Sequence, residues 1–211
     1  DNYDNNFSID LNIKIPKDKV PTVKKALTKA ELDKLLKSKR LLKSRFYIVA
    51  YIAANTGLRC GEILGLTWND IDETNLLINV NKQWKINKKT NEYDFGELKN
   101  KKAYRKVPVS LSFIKELRRY KTTVPIDIQN RIAPFNNVAI NSSFNATLKS
   151  ICGVTIHELR HTYITLLIAN GIDFKTVAKI AGHDIKQTLN TYSHVTDDMM
   201  KNASDTISKI F

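Results

Sequence analysis

The spacing of apolar positions changes several times along the chain, and each change marks an element. Residues 1–22 are polar and irregular, with Ile13, Ile15, Pro16 and Pro21 in no sustained period, and read as an arm or interdomain linker. At Thr28 the texture shifts. Thr28 and Glu31 have capping-box spacing and Leu27 and Leu32 sit as a hydrophobic staple, so a basic helix is predicted over about 28–37. Residues 42–55 are apolar nearly all round, which predicts a buried helix, and Gly57 supplies its left-handed stop. A short helix should follow from near Arg59 through Glu62, Ile63 and Leu64.

From residue 76 the pattern becomes strand-like. Segments 76–80, 92–98 and 104–109 favour β structure, the last with Val107 and Val109 inward, and Asn/Lys-rich turns separate them. They predict one three-stranded antiparallel sheet. After Ser110 helical spacing returns, over 110–121, 124–132, 138–150, 156–169, 173–181, 185–192 and 196–210. Strands that do not alternate with helices argue against a doubly wound parallel sheet. The expected fold is mostly α with a small three-stranded antiparallel sheet (α+β), as one domain over 23–211.

Composition narrows the function. The 211 residues are 42% hydrophobic, enough for a core, which excludes a wholly disordered basic tail. No apolar run approaches the roughly 18 residues of a membrane-spanning helix. Cys60 and Cys152 are too few for a disulfide framework or a cysteine-based zinc site and read as reduced core residues. The net charge of +13 is concentrated: residues 17–45 carry eleven Lys/Arg against three acids, and residues 82–106 nine against three. Two dense patches suit a phosphate backbone, with an anionic membrane surface as the second choice. The chain opens on Asp1 without a secretory signal and reads as a processed or excised piece.

The candidate chemistry lies mostly in the last third, which holds all four histidines: His157, His161, His183 and His194. Thr155 and Glu158 form a second capping box, placing His157 and Arg160 near the start of a greasy helix, where free N–H groups attract anions. Gly182 and His183 precede a further helix start at Asp184, and Tyr192 follows. The order HELRHT (157–162), Gly182-His183 and Tyr192-Ser193-His194 resembles the C-terminal signature of the tyrosine recombinases, the phage and mobile-element integrase family. Upstream, TGLRCGEILGLTW (56–68) resembles the family segment around its first active-site arginine, and KNKKAYRKVP (99–108) its β-hairpin lysine segment. The resemblance runs from about Thr28 to His194.

The resemblance implies a tyrosine recombinase catalytic domain that cleaves a DNA phosphodiester through Tyr192, leaving a 3′-phosphotyrosine and a 5′-hydroxyl, and then exchanges strands. Arg59 and Arg160 would hold the non-bridging oxygens as bidentate forks, which lysine cannot imitate. His157 would accept the tyrosine proton, His183 would donate to the phosphate, and Lys99 would protonate the leaving oxygen. Lys82, Lys85, Lys101, Lys102 and Arg105 are expected DNA contacts. No metal, ATP or other cofactor is implied. Glu62 is expected to orient Arg59, Trp68 to pack under that motif, His161 to face the helix body, and Tyr163, the rival nucleophile, to pack. His194 could position the tyrosine backbone or be exposed.

The same resemblance implies double-stranded DNA and a tetrameric synapse as partners, and a bacterial or phage-encoded cytoplasmic protein. It makes residues 1–22 the linker from a missing N-terminal DNA-binding region, so weak, poorly specific DNA binding is expected of this piece alone. Residues 195–211 have helical apolar spacing and would pack on their own domain or dock on a neighbouring subunit. Two other functions share the pattern: type IB topoisomerase-like relaxation, and a non-catalytic DNA-binding module.

Overall fold

The computed structural model describes residues 26–182, 184–186, 188–189, 192 and 207. The 1–22 arm, His183, His194 and all but one residue of the expected helix over 196–210 lie outside the described residues.

The centre of the fold is the pairing of α3 (Tyr47–Thr56) with α8 (Ile156–Ala169). Ile48, Val49, Ala50, Ile52 and Ala53 of α3 are all buried, as an all-round apolar helix requires. Its stop is Gly57, left-handed at φ +61°. The buried helix begins later than expected. Residues 42–55 are not one helix, because α2 (Lys39–Leu42) ends and Ser44 turns the chain, its hydroxyl accepting from the Phe46 N–H at 3.2 Å. Ahead of it, α1 (Lys29–Leu36) starts at the expected capping box, and the Leu27 N–H donates to the Thr162 hydroxyl at 3.0 Å, tying the start of the domain to α8. The short helix α4 (Cys60–Leu64) follows Gly57 as read from sequence.

The β region differs from expectation. β1 (Ile71–Asp72), β2 (Leu77–Val80) and β5 (Arg105–Pro108) form an antiparallel sheet in the order β1-β2-β5, with Ile78 opposite Val107. The 92–98 run does not join it. Its core, β4 (Tyr93–Gly96), pairs with β3 (Gln83–Ile86) as a separate hairpin, with Trp84 opposite Phe95 and their rings edge-on at 5.2 Å between centroids. The sheet breaks into two because residues 83–86, which read as part of a turn, supply that partner. This hairpin lies on α4 across Gly65, where a side chain would meet the Gln83 and Trp84 backbone.

After α5 (Leu111–Lys121), residues 124–132 do not form the expected helix. The Asp127 carboxylate accepts the N–H groups of Gln129 and Arg131, Asn130 turns left-handed, and Arg131 bridges Thr67. The next helical run contains α6 (Asn137–Ala139), a wider π turn over Ile140–Phe144, and α7 (Asn145–Cys152). α9 (Phe174–Ala181) packs on both α8 and β5. A small apolar cluster of Ile164, Ile168, Val177, Ala181 and Tyr192 joins α8, α9 and the Tyr192 ring. The fold is mostly α with small antiparallel sheets.

Candidate active site

Three guanidinium groups meet at the carboxyl end of α9. Arg105 Nε donates to the Ile180 carbonyl at 2.6 Å, Arg160 to Ala181 at 2.6 Å, and Arg59 to Gly182 at 2.9 Å. These carbonyls are the ones a helix end leaves unpaired, and the negative end of the helix dipole favours cations there. Arg160 also donates to the Gly57 carbonyl. Local sequence explains each position. Arg59 precedes α4, and Glu62 at the third helical position accepts the Arg59 backbone N–H at 2.8 Å. Arg160 lies one turn into α8, and Arg105 opens β5.

Glu62 joins the cluster from beneath. Its carboxylate accepts two bonds from Arg105, at 2.9 and 3.1 Å, and one from the Arg59 guanidinium at 2.9 Å. Burial raises the Glu62 pKa, but the hydrogen bonds and charge of Arg105, with help from Arg59, pull it below the ordinary carboxylate value. Arg160 is 2% exposed, and burial first, then the neighbouring Arg59 charge, lowers its pKa to about 9. Arg59 keeps a 40% exposed side chain and can still turn toward a ligand.

The phenol of Tyr192 is 2% exposed. Its hydroxyl is hydrogen-bonded to His161 Nδ1, and His161 Nε2 lies 3.0 Å from His157 Nε2. Desolvation pushes the phenol up to about 12, with Arg160 pulling the other way. The expectation that His161 faces the helix body is corrected. It faces the tyrosine instead, because a spacing of four places it on the same side of α8 as His157. Tyr163 packs over Gly57, and burial holds its pKa at about 12. Lys99 is exposed on the segment between β4 and β5. Cys60 and Cys152 are half-buried, and burial raises Cys60 to about 12.

The expected DNA contacts divide. Lys101 and Lys102 are exposed, Lys102 paired with Asp184 at 2.6 Å. Lys85 donates to the Glu97 carbonyl at 2.9 Å, and Lys82 pairs with buried Asp70 at 2.5 Å. Arg105 is corrected: its side chain is 3% exposed and its donors are engaged by Glu62, Ile180 and Ala103, so it is a structural cation rather than a surface contact. Arg105 also lines a groove with Lys102, Tyr104, Lys106, Lys175 and Lys179, of which Lys106, Lys175 and Lys179 are not among the expected contacts. Lys175 and Lys179 share a face of α9 at helical spacing, a signal that was available. Among the described residues no helix is long and apolar enough to cross a membrane.

Comparison with known proteins bears on the family and the fold. The profile of the phage integrase family matches residues 25–199. The ICEBs1 integrase of Bacillus subtilis (strain 168) is 29% identical over 83% of this chain and 51% of its own length. A "Tyrosine recombinase XerC-like" protein of Caldanaerobacter subterraneus subsp. tengcongensis is 31% identical over 93% of this chain and 57% of its own. Among solved structures, the Tn1549 transposon integrase in complex with circular intermediate DNA is 25% identical with a TM-score of 0.69, over 87% of this chain and 67% of that one. The chain thus spans about half the length of the curated relatives it matches.

Proposed function

The chain belongs to the phage integrase family, and on that premise we propose that it is the catalytic part of a tyrosine recombinase that integrates or excises a mobile element. Tyr192 is the nucleophile: its oxygen bonds to a backbone phosphorus, the bond to the 5′-oxygen breaks, and a 3′-phosphotyrosine holds the strand until a partner strand replaces it. The covalent intermediate conserves the phosphodiester energy, so the reading needs no nucleotide or metal. Arg59 and Arg160 bind the non-bridging oxygens, where charge grows in the transition state. His157 serves the attacking side, Lys99 supplies the proton to the leaving oxygen, and His183, outside the described residues, donates to the phosphate.

One observation carries this reading. Arg59 and Arg160, from distant segments, end on the adjacent carbonyls of Gly182 and Ala181, and the Tyr192 hydroxyl is hydrogen-bonded to His161, on the same face of α8 as His157. The phenol is buried, so a phosphate reaches it only when the cover over its ring opens. That the named relatives are integrases and recombinases supports strand exchange over simple relaxation of supercoils. Lys101, Lys102 and the groove lysines face the duplex, and the substrate places the work in a bacterial cytoplasm. On double-stranded DNA the protein acts as one subunit of a tetrameric synapse.

The test is a trapping assay with random-sequence nicked duplexes at high concentration. The 211-residue chain should give a denaturant-resistant protein–DNA adduct. Tyr192→Phe should abolish the adduct and leave DNA affinity within about twofold, because one buried hydroxyl contributes only about 1 kcal/mol to the fold. An adduct that survives this substitution removes Tyr192 from the role.

A further inference from the structure

Resting on the recombinase reading above, we propose that His161 is a catalytic residue, the immediate acceptor of the Tyr192 proton, and that it passes a proton on to His157. The sequence order suggests His157 as the base, yet the ring that touches the phenol is His161. His157 stands one step further out, with ring centroids 4.5 Å apart and nearly perpendicular.

The two hydrogen bonds use opposite nitrogens of one imidazole, which is what a relay requires. With the proton of His161 on Nε2, Nδ1 presents a lone pair to the phenol while Nε2–H donates to His157 Nε2 at 3.0 Å. In the attack, the Tyr192 oxygen–phosphorus bond forms and the phosphorus–5′-oxygen bond breaks. The phenolic proton goes to His161 Nδ1, the Nε2 proton goes to His157 Nε2, and His157 yields one to water. The leaving oxygen takes its proton from a separate acid, Lys99 in the reading above. Rejoining returns a proton along the same path as the tyrosine departs.

Electrostatics explains why one histidine would not suffice. His161 is 5% exposed and lies next to Arg160, which is itself 2% exposed. A buried imidazolium there would add a cation to a site where Glu62 already balances Arg59 and Arg105. Transfer to His157, which is exposed, moves the positive charge from a buried ring to a solvated one. The elevated phenol makes a neighbouring acceptor more necessary, since almost no phenolate exists at neutral pH.

The experiment uses the 211-residue chain and a duplex whose sequence is recovered from the trapped adducts, made with either oxygen or a bridging sulfur at the 5′ leaving position. His161→Asn keeps a hydrogen-bonding amide near Nδ1 but cannot take a proton. It should slow single-turnover adduct formation by about 100-fold with both leaving atoms and leave DNA affinity unchanged. Lys99→Ala should be slow with oxygen and restored by sulfur, which needs no acid. Adduct formation by His161→Asn within threefold of the unsubstituted chain, or its restoration by sulfur, overturns the relay. If His161→Asn and His161→Gln fail to fold, ring-nitrogen NMR of the unsubstituted chain decides. Tyr192→Phe should shift the Nδ1 resonance of His161, and an unmoved resonance overturns the contact. Absence of any adduct from the unsubstituted chain instead removes the recombinase reading, and the relay with it.

Discussion

Arg59 and Arg160 donate to neighbouring carbonyls, Gly182 at 2.9 Å and Ala181 at 2.6 Å, so two guanidinium groups from separate segments share one helix end. Glu62 holds this arrangement through Arg59 and Arg105, and the α9 terminus holds it from the other side. The site is therefore part of the scaffold, and substitutions beneath it should read out first as stability.

Glu62→Gln leaves the guanidinium of Arg105, 3% exposed, without its counter-charge. Removing one partner of a buried pair costs about 3–5 kcal/mol. The Arg59 arm of the same carboxylate adds little, because that side chain is largely solvated. Urea unfolding should show the loss, and adding Arg105→Met should recover part of it. A Glu62→Gln protein as stable as the parent contradicts the role given to this pair.

Acid should expose the same carboxylate. The folded pKa of Glu62 lies below its ordinary value of 4.5, despite the opposing effect of burial. The stabilising contribution is thus complete above the unfolded value and lost as pH falls through the lower folded one. Stability measured from pH 7 to pH 3 should decline over that acid window, and the decline should be shallower in Glu62→Gln. Equal slopes would contradict this assignment.

DNA binding should separate the groove lysines from Arg105. Replacing Lys106, Lys175 and Lys179 with Gln should reduce the slope of log affinity against log salt by about 1 for each lysine–phosphate pair removed. Arg105→Met should leave that slope alone and lower the melting temperature. A salt slope unaffected by the triple substitution would move the duplex to another face.

Gly65→Ala should loosen the β3–β4 hairpin. A Cβ there would lie 2.8 Å from the Gln83 carbonyl carbon and the Trp84 nitrogen, which are backbone atoms and cannot rotate away. The expected cost is about 1–3 kcal/mol, as for other overpacked sites. A thermal melt is sufficient to measure it, and an unchanged midpoint would mean that the hairpin is not seated on α4.

Much of the architecture was legible one segment at a time. The capping boxes at Thr28 and Thr155 and the left-handed Gly57 are local features and appear as read, while the apolar run forms a helix that starts only at Tyr47. Strand partners were less legible. β3 is a short run among lysines and asparagines, and only its pairing with β4 makes it a strand. The 124–132 segment failed as a helix because the Asp127 carboxylate competes for its backbone N–H groups. His161 could have been read better, since a spacing of four from His157 already put both rings on one face.

The sequence alone determined the family resemblance, the order of candidate residues and most helices, because capping, periodicity and motif spacing act over a few neighbouring positions. Tertiary structure decided which charges meet. Arg105 became a buried structural cation because β5 packs against α9 over Glu62. Tyr192 came to rest on His161 because apolar burial against Ile164 and Ile168 brings its ring to α8. These outcomes depend on long-range packing and on the cost of burying an unpaired charge, which linear spacing does not encode.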